Sequence, residues 1–370
     1  MPECINPIWP CALTGAVAFL AGYTGISVVI HGSSGCYYYP KSLIRTPLFG
    51  SFILHDEVVF GTGERLRSVV AEVSKRGGRV AVVNSCVPAL MGEDLAPYLD
   101  GYSALFVDAP GFLGGVETGY RIAGETLMGE AAITGDGANI GGVCLLDPFW
   151  RGNLHEARRM LARAGIPVGT VVAADHIKAV SHASPLTVMV NPDYPAIIGE
   201  DSGSLLGISS CSDTIMRVSE RVPGADPSPL LDECRLAEER AITACEKYLR
   251  RHDPPVAAIA AQAGYASFFG EILTTYLGAD SPLILPRNDS SGVAVTDYAT
   301  IADALSSDEY TLILGSSYEH QMQPCAAFVG ITPPQRGRVI LGSPPLAGSE
   351  GMLNGVEMIL NACMDRKKKV

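Results

Sequence analysis

The sequence is short of positive charge: 27 Lys and Arg stand against 39 Asp and Glu, for a net charge of −12. Nucleic-acid binding by phosphate neutralisation needs clustered cations, so that class is excluded. The one basic run, Arg366-Lys367-Lys368-Lys369, reads as a solvated tail. No Gly-Lys pair occurs, so there is no phosphate-binding loop of the G-x-x-x-x-G-K-[ST] type, and the chain is not expected to hydrolyse ATP itself. Gly135-x-Gly137-x-x-x-Gly141 lacks the spacing of a dinucleotide fingerprint and reads as a loop. No C-x-x-C pair occurs either, which excludes a zinc ribbon and a ferredoxin-type run.

Charge is also missing from one long stretch, since no Asp, Glu, Lys or Arg lies between Glu3 and Lys41. Cys11 to Ile30 is long enough to cross a bilayer, which takes about 20 apolar residues. Gly15, Gly22 and Gly25 and two threonines interrupt it, however, and it has neither a basic leader nor a small-residue cleavage pattern. It is expected to be buried against protein rather than lipid, in a cytoplasmic chain. Ten cysteines in that compartment are not a disulfide framework, because thiols there stay reduced.

What is present is an alternation of short apolar runs with helical patterns. Arg79–Val83, Ala104–Val107, Gly142–Leu146, Val168–Ala173, Val256–Ala261, Leu283–Leu285, Tyr310–Leu314 and Arg338–Leu341 read as strands. His155–Ala164, Ser267–Leu277, Thr300–Leu305 and Met352–Met364 read as helices. Short strands apolar on both faces imply parallel sheets covered by helices, so the fold class is α/β with two to three Rossmann-like domains. Ligands in such folds bind beyond the carboxyl ends of the strands, where Cys86 and the segment after Asp108 fall. The polar helix Leu231–Arg251, flanked by proline-rich segments, reads as a linker. The expected division is 1–150, a cluster-binding α/β domain; 151–250, a middle α/β region with the linker helix; and 251–370, a C-terminal α/β domain.

Three cysteines have unusual surroundings. Cys11 follows Asn6-Pro7 and opens Ala12-Leu13-Thr14-Gly15-Ala16; Cys36 ends His31-Gly32-Ser33-Ser34-Gly35-Cys36; Cys86 precedes Gly92-Glu93-Asp94. Glycine beside cysteine lets backbone approach a bulky object and offers amides to inorganic sulfide. Soft thiolates select copper, zinc or iron–sulfur clusters. On spacing alone, three unconnected buried thiols fit as well.

Asn6-Pro7…Cys11-x-x-x-Gly15-Ala16…His31-Gly32-Ser33-x-Gly35-Cys36…Cys86-x-x-x-x-x-Gly92-Glu93-Asp94 resembles the N-terminal domain of nitrogenase component 1 subunits and their relatives. His55-Asp56-Glu57-x-x-x-x-Gly61, Pro110-Gly111-Phe112-x-Gly114-x-x-x-x-Gly119, Leu314-Gly315-Ser316-Ser317 and Pro345-x-x-Gly348-x-x-Gly351 extend the resemblance along the chain. It implies that Cys11, Cys36 and Cys86 are ligands of a [4Fe-4S] cluster, with Gly35 and His31 beside it, His31 as an orienting group. Asp56 and Glu57 are read either as proton donors near the site or as ordinary solvated carboxylates. It also implies a homodimer and a separate P-loop iron–sulfur protein that consumes ATP and magnesium.

The departures narrow the activity. The nitrogenase α subunit anchors its metal cofactor with a histidine in the last domain, whereas here none follows His320, so dinitrogen reduction is not expected. The compact size resembles the smallest members of the family, the nickel-sirohydrochlorin a,c-diamide reductive cyclases, which implies a nickel tetrapyrrole substrate. Rival classes are another nitrogenase-like reductase, a metal-cluster assembly scaffold, and a nicotinamide oxidoreductase. Cys144, Cys234, Cys245 and Cys363 read as packing, Cys211 as part of a buried or helix-capping segment or as lining a substrate pocket, Cys325 and His320 as packing or substrate-facing, and Cys4 as flexible terminus or an extra ligand.

Overall fold

The computed structural model describes residues 9–129, 131–288, 295–307, 309–337 and 339–365, so Cys4, Asn6-Pro7 and the basic run at 366–369 lie outside the described residues. Three four-stranded sheets follow one another along the chain. The first holds β1 (Ile26–His31), β2 (Phe49–Gly50), β3 (Arg79–Asn84) and β4 (Ala104–Asp108); the second β5 (Ala138–Gly141), β6 (Val168–Val171), β7 (Leu186–Met189) and β8 (Glu200–Ser204). The third holds β9 (Ala257–Ala261), β10 (Leu283–Pro286), β11 (Leu312–Gly315) and β12 (Ala327–Gly330). The orders are β2-β1-β3-β4, β6-β5-β7-β8 and β10-β9-β11-β12, and every pairing is parallel. One topology is thus used three times, each time with its switch point between the first and third strands, where α/β sheets leave a crevice.

The helices are α1 (Ala12–Ala21), α2 (Ser34–Leu43), α3 (His55–Phe60), α4 (Gly63–Ser74), α5 (Cys86–Met91), α6 (Val116–Met128) and α7 (Trp150–Arg163). Then come α8 (Ile208–Ser219), α9 (Ser228–Leu249), α10 (Ala263–Glu271), α11 (Tyr298–Ala304), α12 (Ser317–Met322) and α13 (Gly348–Asp365). The uncharged N-terminal stretch divides into α1 and β1. All ten residues of α1 are buried. They pack closely on α6, where Gly15 and Gly119 meet backbone directly. Among the described residues no helix is long and apolar enough to cross a membrane.

The expected strand at Gly142–Leu146 is shifted. Residues 142–146 are irregular, and the strand is β5, four residues earlier. Gly137-Ala138-Asn139-Ile140-Gly141 reads as loop, yet Asn139 is held inside by its amide. It donates to the Ser184 carbonyl (2.8 Å) and to Thr187 Oγ1 (3.1 Å), and accepts from the backbone amides of Thr170 and Ser184. Residues 339–341 of the expected strand Arg338–Leu341 are exposed and irregular; the fourth strand of the last sheet is β12. The helix expected at Ser267–Leu277 begins earlier, as α10, and continues as a π-helical turn over Ile272–Tyr276.

One apolar core runs through the second and third sheets and takes in Leu230, Cys234, Ala237, Ala241 and Cys245 of α9. A second core joins α1 and the first sheet to Cys144, Val172, Ala173, Tyr194 and Ile198 of the second region.

Candidate functional site

β1, β3 and β4 deliver their carboxyl ends to one place. β1 ends at His31 and passes through Gly32-Ser33 into α2, whose third residue is Cys36. β3 ends at Asn84 and passes through Ser85 into α5, whose first residue is Cys86. β4 leads to Pro110-Gly111. Cys11 caps α1 and forms an antiparallel bridge with Gly115, just beyond that loop. The thiols of Cys11 and Cys36 therefore sit at the positive ends of ten-residue helices, where an anion is favoured.

Gly111 is the pivot. Its amide donates to Cys86 Sγ at 3.1 Å. A Cβ there would lie 3.1 Å from Cys11 Sγ and 3.2 Å from Cys86 Sγ, so both sulfurs face the same backbone atom. Gly32 makes a comparable approach: a Cβ would come 2.0 Å from Ser85 Oγ and 3.5 Å from Cys36 Cβ. Ser33 Oγ donates to Cys36 Sγ at 3.5 Å, and Thr14 Oγ1 lies 3.8 Å from Cys11 Sγ. Ser85 Oγ, next to Cys86, is buried with no hydrogen-bond partner among the described residues.

These features fit an iron–sulfur cluster. Cys11 and Cys86, soft and half-buried, face one glycine, Cys36 stands by the neighbouring Gly32, and the orphaned hydroxyl of Ser85 lies beside Gly32. Among the described residues no three His, Cys, Asp or Glu side chains converge closely enough for a single metal ion, whereas a multi-iron cluster holds its thiolates farther apart.

The other expected residues take different places. His31 is fully buried and both ring nitrogens are engaged, Nδ1 with Ser51 Oγ (3.0 Å) and Nε2 with Thr62 Oγ1 (2.9 Å). Thr62 Oγ1 donates in turn to Glu93 Oε2 (2.6 Å), so the chain of donors runs from Ser51 through a neutral imidazole to a carboxylate. Burial pushes the imidazole down to about 4, against the opposing pull of Glu93 and Glu57. Gly35 is exposed, and a Cβ there would meet only Ser33 Oγ, at 3.9 Å. Asp56 is exposed on α3, while Glu57 is tied to Arg65 (2.7 Å) and to the Leu54 amide (2.8 Å) as an ion pair and helix cap. Cys211 is fully buried against Met160. His320 stacks on Phe328, and Cys325 is exposed.

Exposed apolar side chains stand on α2 and α5, which carry Cys36 and Cys86, and on α3, which packs on α5. Helix α3 buries none of its residues; Val59 and Phe60 are 74% and 87% exposed, and Tyr38, Leu54 and Leu90 are exposed beside them.

At the opposite ends of α1 and α2 a cleft of about 820 Å³ opens between the first sheet's helices, the loop after β5 and residues 340–343. Ile44, Leu146, Trp150 and Leu341 give it apolar walls, and Arg45 and Arg151 place cations on it. A ten-residue helix spans about 15 Å, so α1 sets that separation from Cys11. Asp147 also lines the cleft. The carboxyl ends of all three sheets meet inside the chain: Gln262 donates to Glu117 (2.9 Å), which also accepts from Trp9 at the Cys11 end of α1, the Gly264 amide and Asn288 donate to Asp193 (both 2.9 Å), and Tyr265 donates to Asp147 (2.5 Å). Burial pushes Glu117 up to about 7 and Asp147 up to about 6. The sequence pointed to the segment after Asp108 as a ligand-binding strand end, but not to Ser85, the cleft or these carboxyls as site features. Pro110-Gly111 carried a signal as a turn at a strand end; the cleft has none, because its walls come from five separate segments.

The family model for nitrogenase component 1 type oxidoreductases matches residues 11–364. The nitrogenase iron-molybdenum cofactor biosynthesis protein NifE of Rippkaea orientalis is 30% identical over 135 residues, 32% of this chain and 29% of that protein. The nitrogenase molybdenum-iron protein beta chain of Frankia alni is 24% identical over 200 residues, 46% of this chain and 37% of that protein. These alignments thus cover well under half the length of either relative. Among solved structures, nitrogenase Cp1 at pH 6.5 superposes with a TM-score of 0.80 over 99% of this chain and 94% of that one, at 16% identity, which is a likeness of fold.

Proposed function

The chain belongs to the nitrogenase component 1 type oxidoreductase family, and from that premise we propose that it is the catalytic iron–sulfur subunit of an ATP-dependent tetrapyrrole reductase. The observation that carries the reading is the pairing of two places at the two ends of α1. Cys11 and Cys86 face Gly111, Cys36 stands by Gly32, and an 820 Å³ cleft lies at the far end. A [4Fe-4S] cluster held by these thiols would supply one-electron redox chemistry. The protein contributes position, a dry setting and cationic anchors. Trp150, Ile44 and Leu146 offer apolar faces to a flat macrocycle, and Arg45 and Arg151 suit its carboxylate substituents, in a volume within the range of enclosed organic-ligand sites. The substrate proposed is nickel-bound sirohydrochlorin a,c-diamide, reduced and cyclised.

The apolar surface beside the thiols supports a homodimer with the cluster at its seam. Two-fold dimers are the commonest oligomers. The absence of a Gly-Lys pair supports a separate P-loop iron–sulfur protein that hydrolyses ATP with magnesium. Two measurements test the reading. Iron analysis should give about four irons per dimer, and about eight would replace the shared site by one cluster per chain. The chain alone with dithionite should not turn over the nickel tetrapyrrole; adding the P-loop protein, ATP and magnesium should start the reaction, and efficient turnover without them would sink the two-component mechanism.

The likeness to NifE, a cofactor biosynthesis protein, favours a second reading, in which the chain holds a cluster and passes it on. Transfer of iron to an acceptor protein without reduction of the tetrapyrrole would select it.

A further inference from the structure

We propose that Asp147, backed by Tyr265, is the acid that delivers a proton to the ligand in the cleft, an assignment that rests on the tetrapyrrole reading above. Asp147 follows β5, the first strand of the second sheet, at the crevice that the switch point creates. Asp147 lines the cleft while only 4% of the residue is exposed. Each oxygen has a distinct partner. Oδ1 accepts the Phe149 amide at 2.8 Å, a turn that leads into α7. A turn of that kind uses one oxygen only. Oδ2 accepts the Tyr265 hydroxyl at 2.5 Å, from α10 beyond the third sheet, and Tyr265 is itself held by Asn153 Nδ2 at 3.0 Å. A capping residue has no need of this second arm.

The arrangement suits a group that must carry a proton near neutral pH and then lose it. Burial favours the neutral acid, and the like charge of Asp193 after β7 adds to that; Tyr265, the Phe149 amide and Asn191 stabilise the carboxylate. These opposing effects leave it at about 6. The charged groups that share the cleft are Arg151 at the start of α7, Arg45 after α2 and Asp175 after β6.

Reduction of one ligand double bond takes two electrons and two protons. The electrons come from the low-potential iron–sulfur donor protein proposed above. Asp147 supplies one proton: its O–H bond breaks, a C–H bond forms on the ring, and the carboxylate left behind keeps its bonds from Tyr265 and Phe149. Water in the cleft supplies the second proton and restores the acid.

The test uses the whole chain and two variants, Asp147→Asn and Tyr265→Phe. Asparagine keeps an oxygen for the Phe149 amide but has no acidic proton. In the purified chain, the infrared carbonyl band of a protonated carboxylic acid should titrate near pH 6, vanish in Asp147→Asn and shift its midpoint upward in Tyr265→Phe. With nickel sirohydrochlorin a,c-diamide as probe, Asp147→Asn should bind as the unaltered chain does. Its turnover with donor protein and ATP should fall by about a hundredfold, the usual share of a general acid, and Asp147→Glu should recover part of it. Turnover of the unaltered chain should decline as pH rises above 6. An active unaltered chain with an equally active Asp147→Asn variant overturns this assignment and leaves the functional reading standing. An unaltered chain that fails to bind the probe overturns both. Should Asp147→Asn not fold, an unmoved carboxyl titration together with an unmoved rate in Tyr265→Phe overturns the assignment.

Discussion

Replacing Gly111 by alanine separates the empty chain from the loaded one. The new methyl would stand 3.1 Å from Cys11 Sγ, 3.2 Å from Cys86 Sγ and 3.3 Å from Cys11 Cβ. Unstrained contacts between such atoms lie at roughly 3.5–4.0 Å, so each sulfur must retreat by about half an ångström. Without metal the thiols turn aside, at about 0.5–1.5 kcal/mol for a side chain pressed off its rotamer. That is a loss of a few degrees in Tm at most, at roughly 2–4 °C per kcal/mol in a region of this size. With metal bound the sulfurs are pinned and cannot turn, so the strain falls on the ligand bonds. Gly111→Ala should therefore fold and dimerise normally but release iron to a chelator at least about tenfold faster, equivalent to about 1.4 kcal/mol. The assay is iron and acid-labile sulfide per chain, with visible absorption followed during chelation. Gly342→Ala, where nothing lies within 4 Å, is the control. Full iron content and unchanged release in Gly111→Ala would refute the idea that both sulfurs face one bound object.

Cys11→Ala, Cys36→Ala and Cys86→Ala should each lose most bound iron and its visible absorption, while Cys144→Ala and Cys363→Ala keep both; full retention in any of the first three removes that residue from the site. His31 is held neutral by burial, at about 4 against 6.5 when unfolded. Its stabilising contribution is therefore complete above pH 6.5 and lost as pH falls from there toward 4, by about 3 kcal/mol in all. Urea midpoints of the unaltered chain should fall across that window more steeply than those of His31→Gln; equal slopes would show that another group carries the dependence. Arg287 and Glu319 form a fully buried ion pair, completed by Ser316. Glu319→Ala should cost about 3–5 kcal/mol by leaving a buried cation alone, and Arg287→Met with Glu319→Leu should recover most of it; an equally unstable double variant would mean that the pair's hydrogen bonds, not its charges, hold the region.

The strands that announced themselves were near-continuous apolar runs: Arg79–Asn84 and Ala257–Ala261 are buried on both faces, and Ala104–Asp108 alternates buried with exposed residues. β5 did not, because its centre is Asn139, a polar residue made internal by bonds to Ser184, Thr187 and Thr170 that only the folded chain supplies. Val339-Ile340-Leu341 reads as a strand from residue preference but is irregular and exposed, outside the sheet. In the site, glycine and cysteine at strand ends were legible as types, and the resemblance supplied their grouping. That Gly111 touches two sulfurs from residues 75 positions apart was not legible, and neither was the capture of Glu57 by Arg65. Such contacts depend on which loops the sheet order brings side by side.

Helix α1 is enclosed on every side, and this makes it a ruler. A single inserted residue would turn one end against the other by about 100° and lengthen the rod by about 1.5 Å. A helix with one free face could absorb this by rotating, but Ala12–Ala21 has no free face. The gap between thiols and cleft is therefore not adjustable by drift in length: it changes only if α6, β1 and the loops at both ends are rebuilt together. Regulation of such a molecule has to act on what enters the cleft or what docks at the thiols, because the span between them is a constant of the fold.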